Sequence, residues 1–438
     1  MRHILILSVL MLGTAARAQG PLTLTLKQAM DMAGRQSYQV QASVLETEKA
    51  RSKVKEITAL GLPQVDGSAS LNNYIKVPTS VVPNFFGTDP ELLEVQFGVP
   101  WSTTGALALN QLIFDGSYLV GLEASKELRV RSDQELERIA ADARYQAAKG
   151  YLGVLAAREG TRLAADGVPV LEKSLAEAQA MTAQGFMEAT DVDRLSIALA
   201  SARDRARSFA QQERVALAFL RLVLGVPEGT PLELTDGLES LLNDPAEVAL
   251  SEAPLDMSGH IEHQLANTLV RIQTLDVKNQ KSAYLPKLYG FFNTQAQAFG
   301  QDAPFETEWF PATLWGAQLQ VPIFSSGLRS NRVKQSQLTL KQAEVNLTAT
   351  EQRLLAEASE RSEKARTALE TYATEKQNLD LAKRIFDRTS IKFTNGLSSS
   401  FELNQDQTQY LTAQQMYINA LVNLALARTD LRKALDLY

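Results

Sequence analysis

The chain has 438 residues, with 44 Lys and Arg against 50 Asp and Glu, a formal net charge of −6 and no cysteine. Hydrophobic residues make up 45% and charged residues 21%, a globular balance that excludes wholesale disorder. The missing cysteines exclude disulfides, thiolate metal sites and a Cys nucleophile, and the acidic balance argues against a nucleic-acid partner.

In chain order, the first element is an export signal over 1–18. Arg2 supplies a positive start, Ile4 to Leu12 is apolar, and Ala16-Arg17-Ala18 reads as a small-residue cleavage site. The apolar run is far short of the ~20 residues that span a bilayer as a helix. No later stretch is long and apolar enough either. The processed chain is therefore expected to stay soluble after export or to enter a membrane as β-structure.

The remainder repeats itself. Gly61-Leu62-Pro63 matches Tyr284-Leu285-Pro286, Ile113-Phe114 matches Ile323-Phe324, and the glycine of Gln184-Gly185-Phe186 matches that of Asn395-Gly396-Leu397. The landmarks keep their order, which predicts two tandem halves, 19–225 and 258–438. The first offset is 223 residues and the second 210, so the first half carries extra chain. That insert falls near 77–100, rich in Pro, Gly and Phe, and reads as a long loop. Between the halves, 226–257 holds Pro227, Pro231, Pro245 and Pro254. It reads as a loop-rich equatorial segment with one short helical element at Leu238–Leu242.

Each half is expected to run helix, strand, strand, long helix, return helix. The leading helices are placed at Ser37–Leu60 and Thr268–Ala283. Strands are placed at about 64–74 and 105–114, then at about 287–297 and 313–324. Val65, Gly67, Ala69 and Leu71 alternate with Gln64, Asp66, Ser68 and Ser70; Trp315, Ala317 and Leu319 alternate with Gly316, Gln318 and Gln320. Such alternation suits a barrel wall between lipid and water, and equally a strand half-buried in a soluble sheet. All three Trp and ten of the sixteen Phe fall in 61–115 and 284–327, as aromatic girdles at lipid interfaces would require.

Long helices are expected at about 117–184, 190–224, 326–394 and 401–437. Residues 323–438 contain no Pro, so the third reads as an unbroken rod of roughly 100 Å. Its first-half counterpart contains Pro169, which should kink or interrupt it. Gly185 and Gly396 suit left-handed caps at the rod ends. Leu421, Leu424, Leu431 and Leu435 form a seam for antiparallel packing. Four strands leave two open edges, which hydrocarbon forbids, so several copies must pool their strands.

The order and spacing of these motifs, with Asn110 to Gly116 (NQLIFDG), resemble the outer membrane efflux proteins, the TolC-like outer membrane factors. The resemblance covers the whole processed chain. It implies a mainly α fold with a membrane β-barrel part, a homotrimer sharing a twelve-strand barrel in outer-membrane lipid, and a periplasmic α-helical tunnel. It implies an exit duct of a tripartite efflux or type I secretion system. The partners would be a periplasmic adaptor (membrane fusion protein) and, through it, an inner-membrane pump of RND or ABC type. In that family the tunnel narrows at the helix turns. The matching aperture candidates are Asp191, Asp193, Phe401, Glu402 and Gln405. Glu402 reads either as part of an acidic ring whose members raise one another's pKa, or as a helix N-terminal acid favoured by the macrodipole. Gln405 and Ser398 stand where relatives often carry Asp and Arg. Adaptor docking is expected at Gly185, Phe186, Met187 and at Gly396, Leu397, Ser398; either glycine turn could equally serve only as a cap.

No catalytic signature is present. His260 and His263 stand at helical spacing without further ligands, so no metal, cofactor or enzymatic activity is expected. The alternative from another class is a periplasmic coiled-coil scaffold or adaptor that never enters a membrane.

Overall fold

The computed structural model describes residues 21–83, 92–242, 250, 253–301 and 308–438; the export signal expected over 1–18 lies outside them. The described chain is β1 (Leu22–Leu24), α1 (Leu26–Gln36), α2 (Tyr38–Ala59), β2 (Gln64–Asn73), β3 (Thr79–Pro83), β4 (Leu92–Gln96), β5 (Trp101–Phe114), α3 (Gly116–Asp166), α4 (Val168–Ala183) and α5 (Ala189–Leu224). It continues through β6 (Leu232–Leu234), α6 (Leu238–Leu242), α7 (Ile261–Ser282), β7 (Lys287–Gly300), β8 (Trp309–Gln320), α8 (Leu328–Thr394) and α9 (Ser400–Ala434). No helix among the described residues is long and apolar enough to cross a membrane. The described residues form two compact units, one lying within 1–44, 136–261 and 351–438, the other within 45–135 and 262–350.

The first unit is helical. Its core packs Leu195, Leu220 and Leu224 of α5 with Leu403, Leu421 and Leu424 of α9, all fully buried. Small residues let the helices approach: Ala140, Ala143 and Ala147 of α3 are buried, and a side chain at Gly160 would strike the Phe209 ring. Short elements from 226–257 close over this core. β6 pairs in parallel with β1, Leu22 opposite Leu232. The Tyr151 hydroxyl donates to the Leu24 carbonyl at 2.9 Å and lies 3.0 Å from Asp236 Oδ2. Burial pushes that phenol up to about 12. Asp236 also accepts the Leu26 amide at 2.6 Å, so one carboxylate holds the start of α1. α6 buries Leu238 and Leu242, and Glu239 accepts from Lys376 of α8 at 3.0 Å and Tyr417 of α9 at 3.1 Å.

The second unit centres on a four-stranded antiparallel sheet of order β2-β5-β7-β8. A register irregularity between Leu112 and Phe114 sits at the helix-proximal end of β5. Ion pairs join α3 to α7, Lys278 to Glu123 at 2.7 Å and Arg271 to Glu127 at 3.4 Å. Lys287, the first residue of β7, pairs with Asp115 at 2.8 Å.

Several expectations need correction. The 77–100 insert is not simply a loop: β3 and β4 pair as an antiparallel hairpin, Thr79 opposite Gln96. Pro78, Pro83 and Pro100 flank or end strands, where a missing donor costs little. The stretch expected at 117–184, with a kink or interruption at Pro169, is interrupted as expected: two helices part at Gly167, and Pro169 lies in the first turn of α4, where a missing N–H is harmless. α8, with no Pro, runs unbroken for 67 residues. The helix placed at 37–60 is preceded by another, α1, whose start is fixed by a Thr25–Gln28 capping box. α7 begins at Ile261, seven residues before the expected start, with its first amide held by Asp436 Oδ2 at 2.7 Å. β8 ends at Gln320, ahead of Pro322, and begins at Trp309; β5 likewise begins earlier than expected, at Trp101.

α5 ends on Gly225 in the left-handed region, φ +71°, where an added Cβ would lie 2.4 Å from the Gln36 carbonyl oxygen. Gly185 has a similar φ of +79° with nothing within 4 Å. Gly185→Ala should cost about 1–2 kcal/mol for the left-handed backbone. Gly225→Ala should cost more, because a backbone atom blocks the methyl. Thermal unfolding of the two purified variants should rank them in that order.

Candidate functional site

The first feature is the wall formed by the sheet. Pairing carries side-chain rows across all four strands. Val65 lies opposite Leu109, Leu109 opposite Phe292, and Phe292 opposite Trp315. Gly67, Leu107, Thr294 and Thr313 form a parallel row on the same face, as do Leu71, Thr103, Ala298 and Trp309. The intervening rows are mostly polar: Ser70 with Thr104 and Gln297, Ser68 with Gln295 two strands away, Asp66 with Asn293. A one-residue slip would mix the faces, so this register keeps one apolar and one polar side. Phe291, Leu314, Phe310 and Phe299 depart from the polar face. Phe291 is explained by Gly316, whose missing Cβ leaves room for the ring. The apolar side is bare: Trp315 is 80% exposed and Leu319 61%. β2 and β8 each present an outer edge that pairs with no other described strand.

The second feature is the pair of glycine turns. After α4, the Phe186 amide donates to the Met181 carbonyl at 2.9 Å and the Gly185 amide to Thr182 at 3.0 Å. After α8, Leu397 donates to Lys392 at 2.8 Å and Gly396 to Phe393 at 2.9 Å. Both are Schellman closures with a left-handed glycine, Gly185 at φ +79° and Gly396 at +71°. The following residues stand free, Phe186 at 81% and Leu397 at 78% exposed. Met187, expected on the exposed turn, is half-buried against the helical core.

Glu402 is the third residue of a capping box. Its amide donates to Ser399 Oγ at 3.2 Å, and its carboxylate accepts from the Ser399 amide at 3.3 Å and Ser398 Oγ at 2.5 Å. The Ser398 hydroxyl, then the Ser399 amide and the charge of Lys392, hold this carboxyl below the ordinary range. Within one chain the shift is thus opposite to the rise expected of an acidic ring. Ser398, in place of an arginine, serves the cap. Asp191, in the first turn of α5, accepts from Ser400 Oγ and from Arg194 at 3.2 Å. This ties the start of α5 to the start of α9. Asp193 is exposed and stands apart. Gln405 and Phe401 line a groove of about 840 Å³ between α8 and α9, with Arg194 at its edge. Sequence reasoning missed Arg194 and Ser400, and also the bonds Thr389 to Asp406 at 2.5 Å and Thr394 to Glu177 at 3.3 Å. Arg194 had a signal, the i,i+3 spacing from Asp191; the contacts between helices had none.

A carboxylate depressed in the fold stabilises above its unfolded value of 4.5, and that contribution fades as pH falls through the folded value. Amide-exchange protection in the first turn of α9 should therefore decline below that pH in the wild type. Glu402→Gln should start with lower protection and lose that pH dependence.

The sequence of residues 265–436 matches the family model described as outer membrane efflux protein. No curated protein matches the sequence. Solved structures do match in fold. The CmeC outer membrane channel of Campylobacter jejuni superposes with a TM-score of 0.72 at 16% identity, covering 94% of this chain and 85% of that one. The outer membrane protein VceC of Vibrio cholerae gives 0.69 at 14% identity, covering 94% and 95%. The open-state MtrE outer membrane channel of Neisseria gonorrhoeae gives 0.68 at 15% identity, covering 94% and 88%. Residues 265–436 thus match the outer membrane efflux protein model, and the described chain shares its fold with these outer membrane channels.

Proposed function

We propose that this chain is one subunit of an outer-membrane exit duct. The observation that carries the reading is the two-faced register of a sheet that does not close on itself. Val65, Leu109, Phe292 and Trp315 make an apolar row across all four strands of this sheet, while the outer edges of β2 and β8 have no partner strand among the described residues. In hydrocarbon such edges cost several kcal/mol per unsatisfied group, so copies must pair β8 of one with β2 of the next. Three copies give a twelve-strand barrel, apolar towards lipid and polar towards a water-filled lumen. The long helices form the periplasmic tunnel of a passive conduit, gated at the turns after α4 and α8. Exposed Phe186 and Leu397 suit insertion into a helical adaptor tip, and through the adaptor the duct serves an inner-membrane pump of RND or ABC type. Copies brought together at the turns would place Asp191, Asp193 and Glu402 around an opening, favouring cations.

Purified processed chain should behave as a detergent-dependent trimer that conducts ions across planar bilayers. A monomer soluble without detergent would overturn this reading and favour a periplasmic scaffold. Trp315→Arg, in mid-strand on the apolar face, should lower barrel stability by about 2–4 kcal/mol. Gln297→Arg on the polar face should be nearly neutral, with both read from the heat-dissociation midpoint of the trimer. Glu402→Ala should reduce cation preference in single-channel recordings; an unchanged preference would remove Glu402 from the aperture.

A further inference from the structure

The sheet's helix-proximal end carries a collar of bare apolar side chains followed by bare cations. Ile323 is 90% exposed and Phe324 84%, with Val321, Leu60, Leu62 and Tyr284 about half exposed. These residues occupy the short connections where α2 enters β2, α7 enters β7 and β8 leaves for α8. Val321 and Ile323 continue the odd-numbered series that places Trp315 and Leu319 on the apolar face. Arg329 braces the β8–α8 connection: its guanidinium donates to the Pro322 carbonyl at 2.9 Å and lies 5.3 Å from the Tyr284 ring centre.

Just beyond the collar cations outnumber acids, although the fourth connection, 114–127, brings Asp115, Glu123 and Glu127 against Lys126. Residues 53–62, 278–289 and 321–334 contain eight Lys and Arg and one acid, Glu56, in a chain whose net charge is −6. Lys53 is paired with Glu56, Lys278 with Glu123 and Lys287 with Asp115. Lys55, Lys281, Arg332 and Lys334 are exposed and have no acidic partner among the described residues. An apolar band bordered by unneutralised cations matches the boundary of an anionic leaflet. Stems of Lys and Arg lie along the acyl region while their charged ends reach the phosphates.

We propose that this junction binds the anionic phospholipids of the leaflet facing the helices, with Ile323 and Phe324 seated at the acyl boundary and Lys55, Lys281, Arg332 and Lys334 on the headgroup phosphates. The inference rests on the reading of the sheet as a barrel wall. Each bound cation adds attraction that ionic strength screens, so selectivity among lipids should be salt-sensitive.

The test uses the processed full chain in phosphatidylcholine vesicles, with spin-labelled phosphatidylglycerol and spin-labelled phosphatidylcholine compared for immobilisation at the protein. Phosphatidylglycerol should be preferred about fivefold or more at low salt. The preference should fall towards one at high salt and in the K55Q/K281Q/R332Q/K334Q variant. Equal association of both lipids with wild type, or an undiminished preference in the variant, overturns the proposal. Flotation with pure phosphatidylcholine vesicles separates the two readings. A chain that fails to float removes the barrel wall and this site together, whereas a chain that floats without lipid preference removes this site alone. If the variant itself fails to float, the salt titration of wild type decides.

Discussion

An unpaired peptide edge is tolerable in water and intolerable in oil, and the organisation of this chain turns on that difference. Four strands are enough to present an apolar face and a polar face, but too few to bring the first strand round to the last. The faces are kept distinct by register alone. Gly67, Gly105, Ala69 and Ala296 allow close rows, and Trp315 and Phe292 supply bulk in between. A sheet built in this way has no satisfactory single-copy state in hydrocarbon, so any entry into lipid would require assembly at the same time.

Much of this was legible in the sequence because two periodicities are strong. The period-2 alternation of 64–72 and 315–321 marked both outer strands, though not the early start of β8 at Trp309, and the Pro-free run after Phe324 marked α8. The glycine turns were legible because only a residue without Cβ closes a Schellman motif cheaply. What remained hidden was set by partners distant in sequence. β1 and β6 are three-residue strands that exist only because Leu22–Leu24 meets Leu232–Leu234. The β3–β4 hairpin was obscured by Pro and Gly, which ordinarily signal loops. Pro169 was legible as a kink or an interruption, and the structure selects the interruption, with Pro169 in the first turn of α4.

The candidate aperture was legible only in part. Asp191 and Glu402 were found by their spacing from the two glycines, but spacing says nothing about who holds a carboxylate. Glu402 turned out to serve Ser398 and Ser399, and Asp191 to accept from Ser400 on another helix. Both acids therefore carry a capping or bridging duty within one chain. Any role at an opening would be added to that duty, and substitutions there will disturb the turn as well as the charge.

The interruption at Gly167 has a mechanical consequence. α8 transmits torque along an uninterrupted hydrogen-bond ladder, while α3 and α4 meet at a joint where that ladder lapses. A load at the turn near Phe186 would meet the missing ladder bond at Pro169 before reaching α3, whereas a load near Leu397 would meet no such gap along α8. The two glycine turns are thus backed unequally, one by a jointed pair of helices and the other by a continuous one.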